Sequence, residues 1–330
     1  MSRVSSLAVI VTAFNRREYF AEAVESVLRE ETGPIPFECL LLRNFEEPGV
    51  DARLTERGVR LVPDSSPDVG GTLYCALDHC DADYLAFVDD DDLLLPHHLS
   101  RFAQVVERVP DLVYYHNEYA TFSTSTGSRP GGSRSPPTRG PRTEVSWSAY
   151  RATDGEPFLR FLAAKNWERN LSSTILHRSV LERSRPELSA LAAMTDTGAL
   201  VAGLISGGSL VFDREVTTLV RRHPANTSKH VANIRRRAAD LELFSRLVDR
   251  SPSSGVAREY VELRRARETL YDPVFGTPRS SSQTLAAVRT LLRYWDRLRN
   301  WRDLGFLGLG AVSLTLPSAL PAMRPLLVPT

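Results

Sequence analysis

Residues 7–14, LAVIVTAF, form an unbroken apolar run rich in strand formers, the pattern of a strand covered on both faces. Behind it Phe20, Ala23, Val24, Val27 and Leu28 recur at helical spacing, which predicts a helix with Asn15 placed to cap it. Strands are expected at 37–42 (FECLLL) and 59–63 (VRLVP), and a short helix after Gly70 and Gly71 turns Leu73, Ala76 and Leu77 to one face. The run 84–88 (YLAFV) reads as a strand that leads straight into four consecutive Asp. Pro96 then suits the first turn of a helix with Leu99, Phe102 and Val106 inward, and LVYYH is a further strand ending at His116. Strands alternating with helices over the first 116 residues predict a parallel α/β sheet with a nucleotide-sized crevice at the strand C-termini.

From Thr121 to Pro141 the composition changes to Gly, Ser, Pro, Thr and Arg, which predicts a mobile loop without secondary structure. Order resumes near Trp147. A strand is expected within 172–179 (SSTILHRS), a helix through Ala199, Leu200, Leu204 and Ile205 that Thr195 could cap, and a pair of short strands over 209–223. After Ser228 helices take over, with Ile234, Ala238, Leu241, Phe244, Leu247 and Val248 as one apolar stripe. The organisation expected is therefore a domain over 1–230 and a helical region over 231–330. Within the domain, residues 1–120 are one half, 121–143 a loop and 144–230 a second half. No internal repeat is present.

The formal net charge of +1 hides an asymmetry. Residues 1–230 carry 25 Lys and Arg against 31 Asp and Glu, whereas residues 231–303 carry 15 against 9. Arg interleaved with acids reads first as solvated amphipathic helices and second as a patch for an acidic lipid surface. Nucleic acid is disfavoured, because no binding-module signature accompanies the charge. Residues 304–323 contain no charged side chain. Pro317, Pro321 and several Gly argue against a membrane span, so packing on the protein is expected there first and interfacial membrane contact second. Cys39, Cys75 and Cys80 match no metal-ligand or redox spacing and read as free thiols in a reducing compartment. The N-terminal apolar run is too short for a signal peptide and ends in Asn15.

Asp89, Asp90, Asp91 and Asp92 repel one another and favour neither strand nor helix interiors, so folding alone does not ask for them. Strand alternation would point Asp89 and Asp91 to one side and Asp90 to the other. Hard carboxylate oxygens suit Mg²⁺ or Mn²⁺, which commonly arrive with substrate phosphates. The bland alternative is an acidic loop capping the next helix. An EF-hand fails, since Leu94 stands where its Gly belongs and Ser100 where its Glu belongs.

VIVTAFNRREYFAEAVESVL, YLAFVDDDDLLLPHHL, SSTILHRSVLE and LVRRHPANTS, in this order over residues 7–228, resemble the successive landmarks of the family 2 glycosyltransferases. The resemblance implies an α/β protein of GT-A fold, with a Rossmann-like nucleotide-binding sheet followed by an acceptor-side region and C-terminal helices. It implies that Thr12, Ala13, Phe14 and Arg16 line the nucleotide pocket, and that the family's DxD motif falls on Asp89, Asp90 and Asp91 with Asp91 as metal ligand. It further implies a catalytic base at Asp196, with Thr195 in place of the usual Glu. At a helix start an ionised carboxylate is favoured and ready to accept a proton. His223 matches a family His that approaches the metal or the diphosphate, while Arg221 or Arg222 could offset phosphate charge. His97 and His98 belong to a helix start. The sequence departs from the family after the second strand, where LLRNFEEPG lacks the usual Asp. Arg43 or Asn44 there puts uridine specificity in doubt, although the Asn44 amide can pair with a base edge.

The expected activity is metal-dependent, inverting transfer from a nucleotide-sugar, with a UDP-sugar first and dTDP- or GDP-sugars open, to an acceptor hydroxyl. Two alternatives remain at this point. One is a nucleotide-sugar-binding protein without transfer activity; the other is a metal-dependent nucleotidyltransferase or phosphatase, which would need a Gly-rich loop or an Asp where TAFN stands. A cytoplasmic location is expected, with peripheral contact at the inner membrane face and self-association left open.

Overall fold

Leu7–Ala13 make strand β1, and every residue of it but Thr12 is buried. After it come α1 (Phe20–Val27), β2 (Phe37–Arg43), α2 (Pro48–Glu56), β3 (Arg60–Pro63), α3 (Val69–Asp78), β4 (Tyr84–Asp89), β5 (Leu93–Leu94), α4 (His98–Arg108) and β6 (Leu112–Ser123). The second part holds β7 (Trp147–Tyr150), α5 (Glu156–Ala164), β8 (Thr174–His177), α6 (Arg178–Leu188), α7 (Thr195–Ser206) and β9 (Ser209–Arg222), then α8 (Val231–Asp249), α9 (Gly255–Tyr271), α10 (Ser281–Leu298) and α11 (Trp301–Thr315). The computed structural model describes residues 6–31, 35–123, 146–165, 167, 170–223, 231–251, 255–275, 279–298 and 301–315. Of the loop expected over 121–143, residues 121–123 complete β6 and the others lie outside the described residues.

The chain divides into two units, the first holding residues 1–151, 168–191 and 195–226, the second residues 152–167, 192–194 and 227–330. All nine strands lie in the first unit and form one sheet in the order β3-β2-β1-β4-β8-β6-β9-β5, with β7 on β9. β3, β2, β1 and β4 are parallel, as expected. β6 keeps their direction, but β8 from later in the chain inserts antiparallel between β4 and β6, and β5 and β7 run antiparallel to β9, so the whole sheet is mixed. Apolar periodicity reports burial of a strand and says nothing about the direction of its neighbour.

Ser209–Arg222 are one long strand rather than the pair expected over 209–223. Asp213 and Glu215 look like a break, but Asp213 is buried against Arg101 (2.7 Å), and register shifts against Asn117–Tyr119 absorb the extra length. β6 likewise runs past His116 to Ser123. α1 lays Phe20, Ala23, Val24 and Val27 on the core formed by Val9, Val11, Leu41, Val88, Phe102 and Val105. Truncating Phe20 to Ala there would cost about 3–5 kcal/mol. Gly70 is demanded by packing, because a Cβ would lie 2.4 Å from the Leu188 carbonyl oxygen at the end of α6.

The second unit is helical over its described length. Asp240 of α8 accepts the N–H groups of Ala192 (3.0 Å), Ala193 (2.9 Å) and Met194 (2.8 Å). Arg267 of α9 pairs with Asp303 of α11 (2.7 Å) and donates to the Ala163 carbonyl of α5 (3.1 Å). Gly310 lets α11 approach α10, since a Cβ would sit 2.5 Å from Val288 Cγ2. Within the described residues the uncharged stretch packs by one face, with Leu309 buried beside Val274, Tyr271, Phe306 and Val312, while Leu304 and Leu314 stay exposed. Its remainder lies outside the described residues. No described helix is long and apolar enough to cross a membrane.

Candidate active site

The candidate site starts from the sheet register. Thr12 is level with Asp89 across β1 and β4, and Ala13 is level with Arg43 across β1 and β2. The ends of three parallel strands thus place Asn44 on one side of Phe14 and the four Asp on the other. β4 ends because Asp92 N–H donates to the Asp89 carbonyl (3.1 Å), closing a tight turn. β5 follows at once and pairs Leu93 with Leu219, which carries the end of β9 across the acidic turn.

That turn corrects the expected facing of the carboxylates. Strand alternation stops at Asp89, so Asp90 and Asp91 do not point apart; both meet the Arg16 guanidinium. Arg16 Nε donates to Asp90 Oδ2 (3.1 Å) and Nη2 to Asp90 Oδ1, while Nη2 also lies 2.9 Å from Asp91 Oδ2. His223 Nε2 is 2.8 Å from Asp91 Oδ2 and 3.1 Å from Arg16 Nη1. Arg16, Asp90, Asp91 and His223 are therefore brought together from three separate segments.

Asp92 has turned inward to hold the turn. It accepts the Ser172 hydroxyl at Oδ2 (2.7 Å) and the Arg221 N–H at Oδ1 (3.0 Å), and Ser172 Oγ also accepts Asp89 N–H (3.0 Å). Arg221 is anchored as well. Its Nε donates to the Asp91 carbonyl (2.8 Å), its Nη2 to Glu22 (2.6 Å), and its guanidinium lies between the Tyr19 and Phe122 rings. Arg222 is exposed. Sequence reasoning missed Ser172 and Arg221 as the holders of this turn. The only signal was the polar SS before the apolar TILH, and a hydroxyl's partner across the sheet is not written in local periodicity.

Three of the carboxylates on this turn, Asp89, Asp90 and Asp92, resist ionisation. Burial, then Asp92, Asp91 and Asp90, raise Asp89 well above the ordinary carboxylate range even though its rim is partly exposed. Burial, then Asp91, push Asp92 up to about 7. Burial also raises Asp90, with Arg16 opposing. For Arg16, burial works against the charge, but the Asp90 hydrogen bond and the charges of Asp90, Asp91 and Asp89 outweigh it and the pKa rises. One oxygen from each of Asp89, Asp91 and Asp92 can lie within 4.8 Å of the others. These hard oxygens with the His223 nitrogen beside them fit a divalent cation of the Mg²⁺ or Mn²⁺ type.

On the other side Asn15 takes a left-handed conformation (φ 58°), which Asn tolerates better than most residues. Asn15 therefore does not cap α1; Tyr19 stands at that position without a side-chain cap. Instead Asn15 N–H donates to Asn44 Oδ1 (2.9 Å) and Asn44 Nδ2 to Asn15 Oδ1 (2.8 Å). Asn44 keeps a second N–H and a second lone pair for a base edge. Arg43 is spent on Asp51 (2.6 Å). Phe14 is half exposed beside them.

Asp196 lies in the first turn of α7, where Thr197 N–H donates to its Oδ1 (2.7 Å); Thr195 is the first helical residue rather than a cap. His97 and His98 sit at the start of α4, and His98 Nδ1 meets the Thr217 hydroxyl (2.9 Å). Burial pushes His98 down to about 3. Cys39, Cys75 and Cys80 are free thiols. A cleft of about 470 Å³ between α1 and α2 is lined by Glu22, Glu25, Arg29 and Arg57 among others; Glu25 pairs with Arg57 there, and Glu22 reaches Arg221.

Residues 8–167 match the model of the family described as Glycosyl transferase family 2. No curated protein matches the sequence. Among solved structures, S. aureus TarS 1–349 in complex with UDP-GlcNAc is similar at 10% identity and a TM-score of 0.59, covering 97% of this chain and 88% of that one. A mannosyltransferase, PcManGT from Pyrobaculum calidifontis, solved with GDP-Man and Mn²⁺, is similar at 14% identity and a TM-score of 0.51, covering 96% and 88%. At these identities the likeness is one of fold.

Proposed function

Since the chain is a family 2 glycosyltransferase of GT-A fold, we propose that it moves a sugar from a nucleoside-diphosphate donor to an acceptor hydroxyl with inversion at the anomeric carbon. The observation that carries this is the convergence of Asp90, Asp91, Arg16 and His223 beside the ends of β1 and β4, where a parallel sheet offers a nucleotide its crevice. Thr12, Ala13, Phe14, Arg16 and Asn44 line the donor side, with Asp89 and Asp90 toward the ribose and diphosphate. Asp91 and His223 are the residues that would hold the divalent cation. When bound, it supplies charge neutralisation for the leaving diphosphate.

Asp196 accepts the proton of the acceptor hydroxyl as that oxygen attacks the anomeric carbon and the bond from that carbon to the phosphate oxygen breaks. One displacement inverts the centre, so an α-linked donor gives a β-linked product without a sugar-enzyme intermediate. Similar folds are solved with UDP-GlcNAc and with GDP-Man, which supports the donor class. A UDP-sugar is the first choice, with the Asn44 amide reading the base.

Residues 1–230 supply this transfer domain, with 1–120 on the donor side and 144–230 on the acceptor side. The basic helices of 231–330 and exposed Leu285, Leu292, Leu304 and Leu314 support peripheral contact with an anionic lipid surface. Failure to sediment with anionic liposomes at low salt would remove that contact. The activity is tested by incubating the full chain with Mn²⁺, UDP-, GDP- or dTDP-sugars and candidate hydroxyl acceptors. Free nucleoside diphosphate and an inverted linkage by NMR are expected. Release of pyrophosphate or phosphate, or a retained anomeric configuration, would overturn the reading.

A further inference from the structure

Two arginines serve the acidic turn in opposite ways. Arg221 is fixed: its side chain is 4% exposed, its guanidinium is stacked between two rings, and one of its bonds goes to the backbone of Asp91. Arg16 comes from the irregular segment between β1 and α1, and its side chain is 23% exposed. Its hydrogen bonds and ion pairs among the described residues all go to the side chains of Asp90, Asp91 and His223, and none goes to the backbone.

The contacts themselves are not three settled hydrogen bonds. His223 Nε2 lies 2.8 Å from Asp91 Oδ2 and 3.1 Å from Arg16 Nη1. A single ring nitrogen cannot donate to the carboxylate and accept from the guanidinium at once. Asp91 Oδ2 is meanwhile shared by Arg16 and His223. What Asp90, Asp91 and His223 have in common is that each turns an oxygen or nitrogen to the Arg16 guanidinium, and Asp91 Oδ2 and His223 Nε2 are the atoms a divalent cation would also use.

We propose that Arg16 is an exchangeable counter-ion: its guanidinium and a divalent cation compete for Asp90, Asp91 and His223, and exchange frees Arg16 to pair with phosphate oxygens of the donor. The inference rests on the proposed cation site and says how part of that site's negative charge is offset between turnovers. Its consequence is linkage. The chain binds the cation weakly by itself, because part of the population holds Arg16 in the way. An anionic donor that attracts Arg16 favours the cation, and the cation favours the donor by the same factor.

The test is Mn²⁺ binding to the full chain without nucleotide, followed by the free-Mn²⁺ electron paramagnetic resonance signal. If Arg16 blocks about nine molecules in ten, Arg16→Gln binds Mn²⁺ roughly 10-fold more tightly than the natural chain. Arg16→Lys, which keeps the charge but cannot bridge three groups, falls between them and stands in if the Gln variant does not fold. Mn²⁺ also raises the melting temperature of the Arg16→Gln chain more than that of the natural one. Adding Asp91→Asn to Arg16→Gln removes the gained affinity. Equal or weaker Mn²⁺ binding in both Arg16 variants, or a gain that survives Asp91→Asn, overturns the exchange while leaving the cation site standing. If neither the natural chain nor any variant binds Mn²⁺, the proposed site falls and the exchange falls with it.

Discussion

The two units bury charge under different rules. In the helical unit the buried charges are matched. Arg267 faces Asp303 at 2.7 Å, and Asp240 is satisfied by three backbone N–H groups. In the sheet unit Arg101 and Asp213 show the same balance, with Tyr115 and Ser146 completing the bonds. The turn at Asp89–Asp92 breaks it: four carboxylates gather where Arg16 bridges Asp90 and Asp91 and His223 stands beside Asp91, while the Arg221 guanidinium goes to Glu22 and a carbonyl. Burial of charge therefore does not distinguish a working site from a structural strut. Surplus of one sign does, because an uncompensated cluster costs stability and has to be kept for another reason.

The contrast is broken most severely at Asp91. Asp91→Asn removes the oxygen shared by Arg16 and His223 and proposed to hold the cation. If that clamp is worth on the order of 5 kcal/mol to the leaving diphosphate, turnover falls roughly 10⁴-fold. Mn²⁺-dependent nucleotide binding should vanish with it, and a variant fully active in chelator would dismiss the assignment. Asp196→Asn comes next. It keeps the shape and removes the basicity, so kcat falls roughly 10²–10³-fold, at the lower end of what a positioned base contributes, while nucleotide affinity is unchanged. A rate equal to that of the natural enzyme would send the search for the base elsewhere in the acceptor half.

The matched pair should respond in stability alone. Asp303→Ala leaves Arg267 buried without its partner, at a cost of about 3–5 kcal/mol in urea unfolding. Replacing both, as Arg267→Met with Asp303→Leu, should recover most of that loss. Mn²⁺ affinity of the folded protein should not move in either variant. A change there would mean that the strut also serves the site.

Local pattern reached the strands, the acidic turn and its family likeness, because each is written within a few residues: continuous apolar runs, four Asp, an ordered set of short motifs. It did not reach what depends on partners distant in the chain. Asn15 looked like a helix cap and is instead paired with Asn44, 29 residues away. Residues 209–223 were expected as two short strands, yet one strand runs through Asp213, which is buried because Arg101 is there to meet it. Asp90 and Asp91 were expected on opposite sides because alternation was carried two residues past the end of β4. Direction of a neighbouring strand and identity of a buried partner are tertiary facts. Periodicity carries neither.

The smallest effect concerns a third kind of buried charge, a carboxylate with no cation at all. Glu30 follows α1, is buried, and accepts Leu99 N–H at Oε2 (2.9 Å), where α4 begins and no residue of its own caps it. Burial first, and Glu31 beside it, push Glu30 up to about 8, against the opposing Leu99 hydrogen bond. The folded pKa is thus raised above the ordinary value of about 4.3 in the unfolded chain. Between these values the folded protein holds a proton that the unfolded chain has lost. The contribution of Glu30 is therefore complete below about pH 4 and is lost as pH rises toward 8. Glu30→Gln keeps the carbonyl that accepts from Leu99 and a donor where the acid carries its proton, and it cannot ionise. The variant should match the natural chain near pH 4 and exceed it near pH 8.5 by on the order of 2 kcal/mol, after allowing for local relaxation around the ionised group. Urea midpoints at the two pH values give the comparison. An equal difference at both would show that Glu30 is ionised throughout, and that the sheet unit tolerates a second uncompensated carboxylate besides the acidic turn.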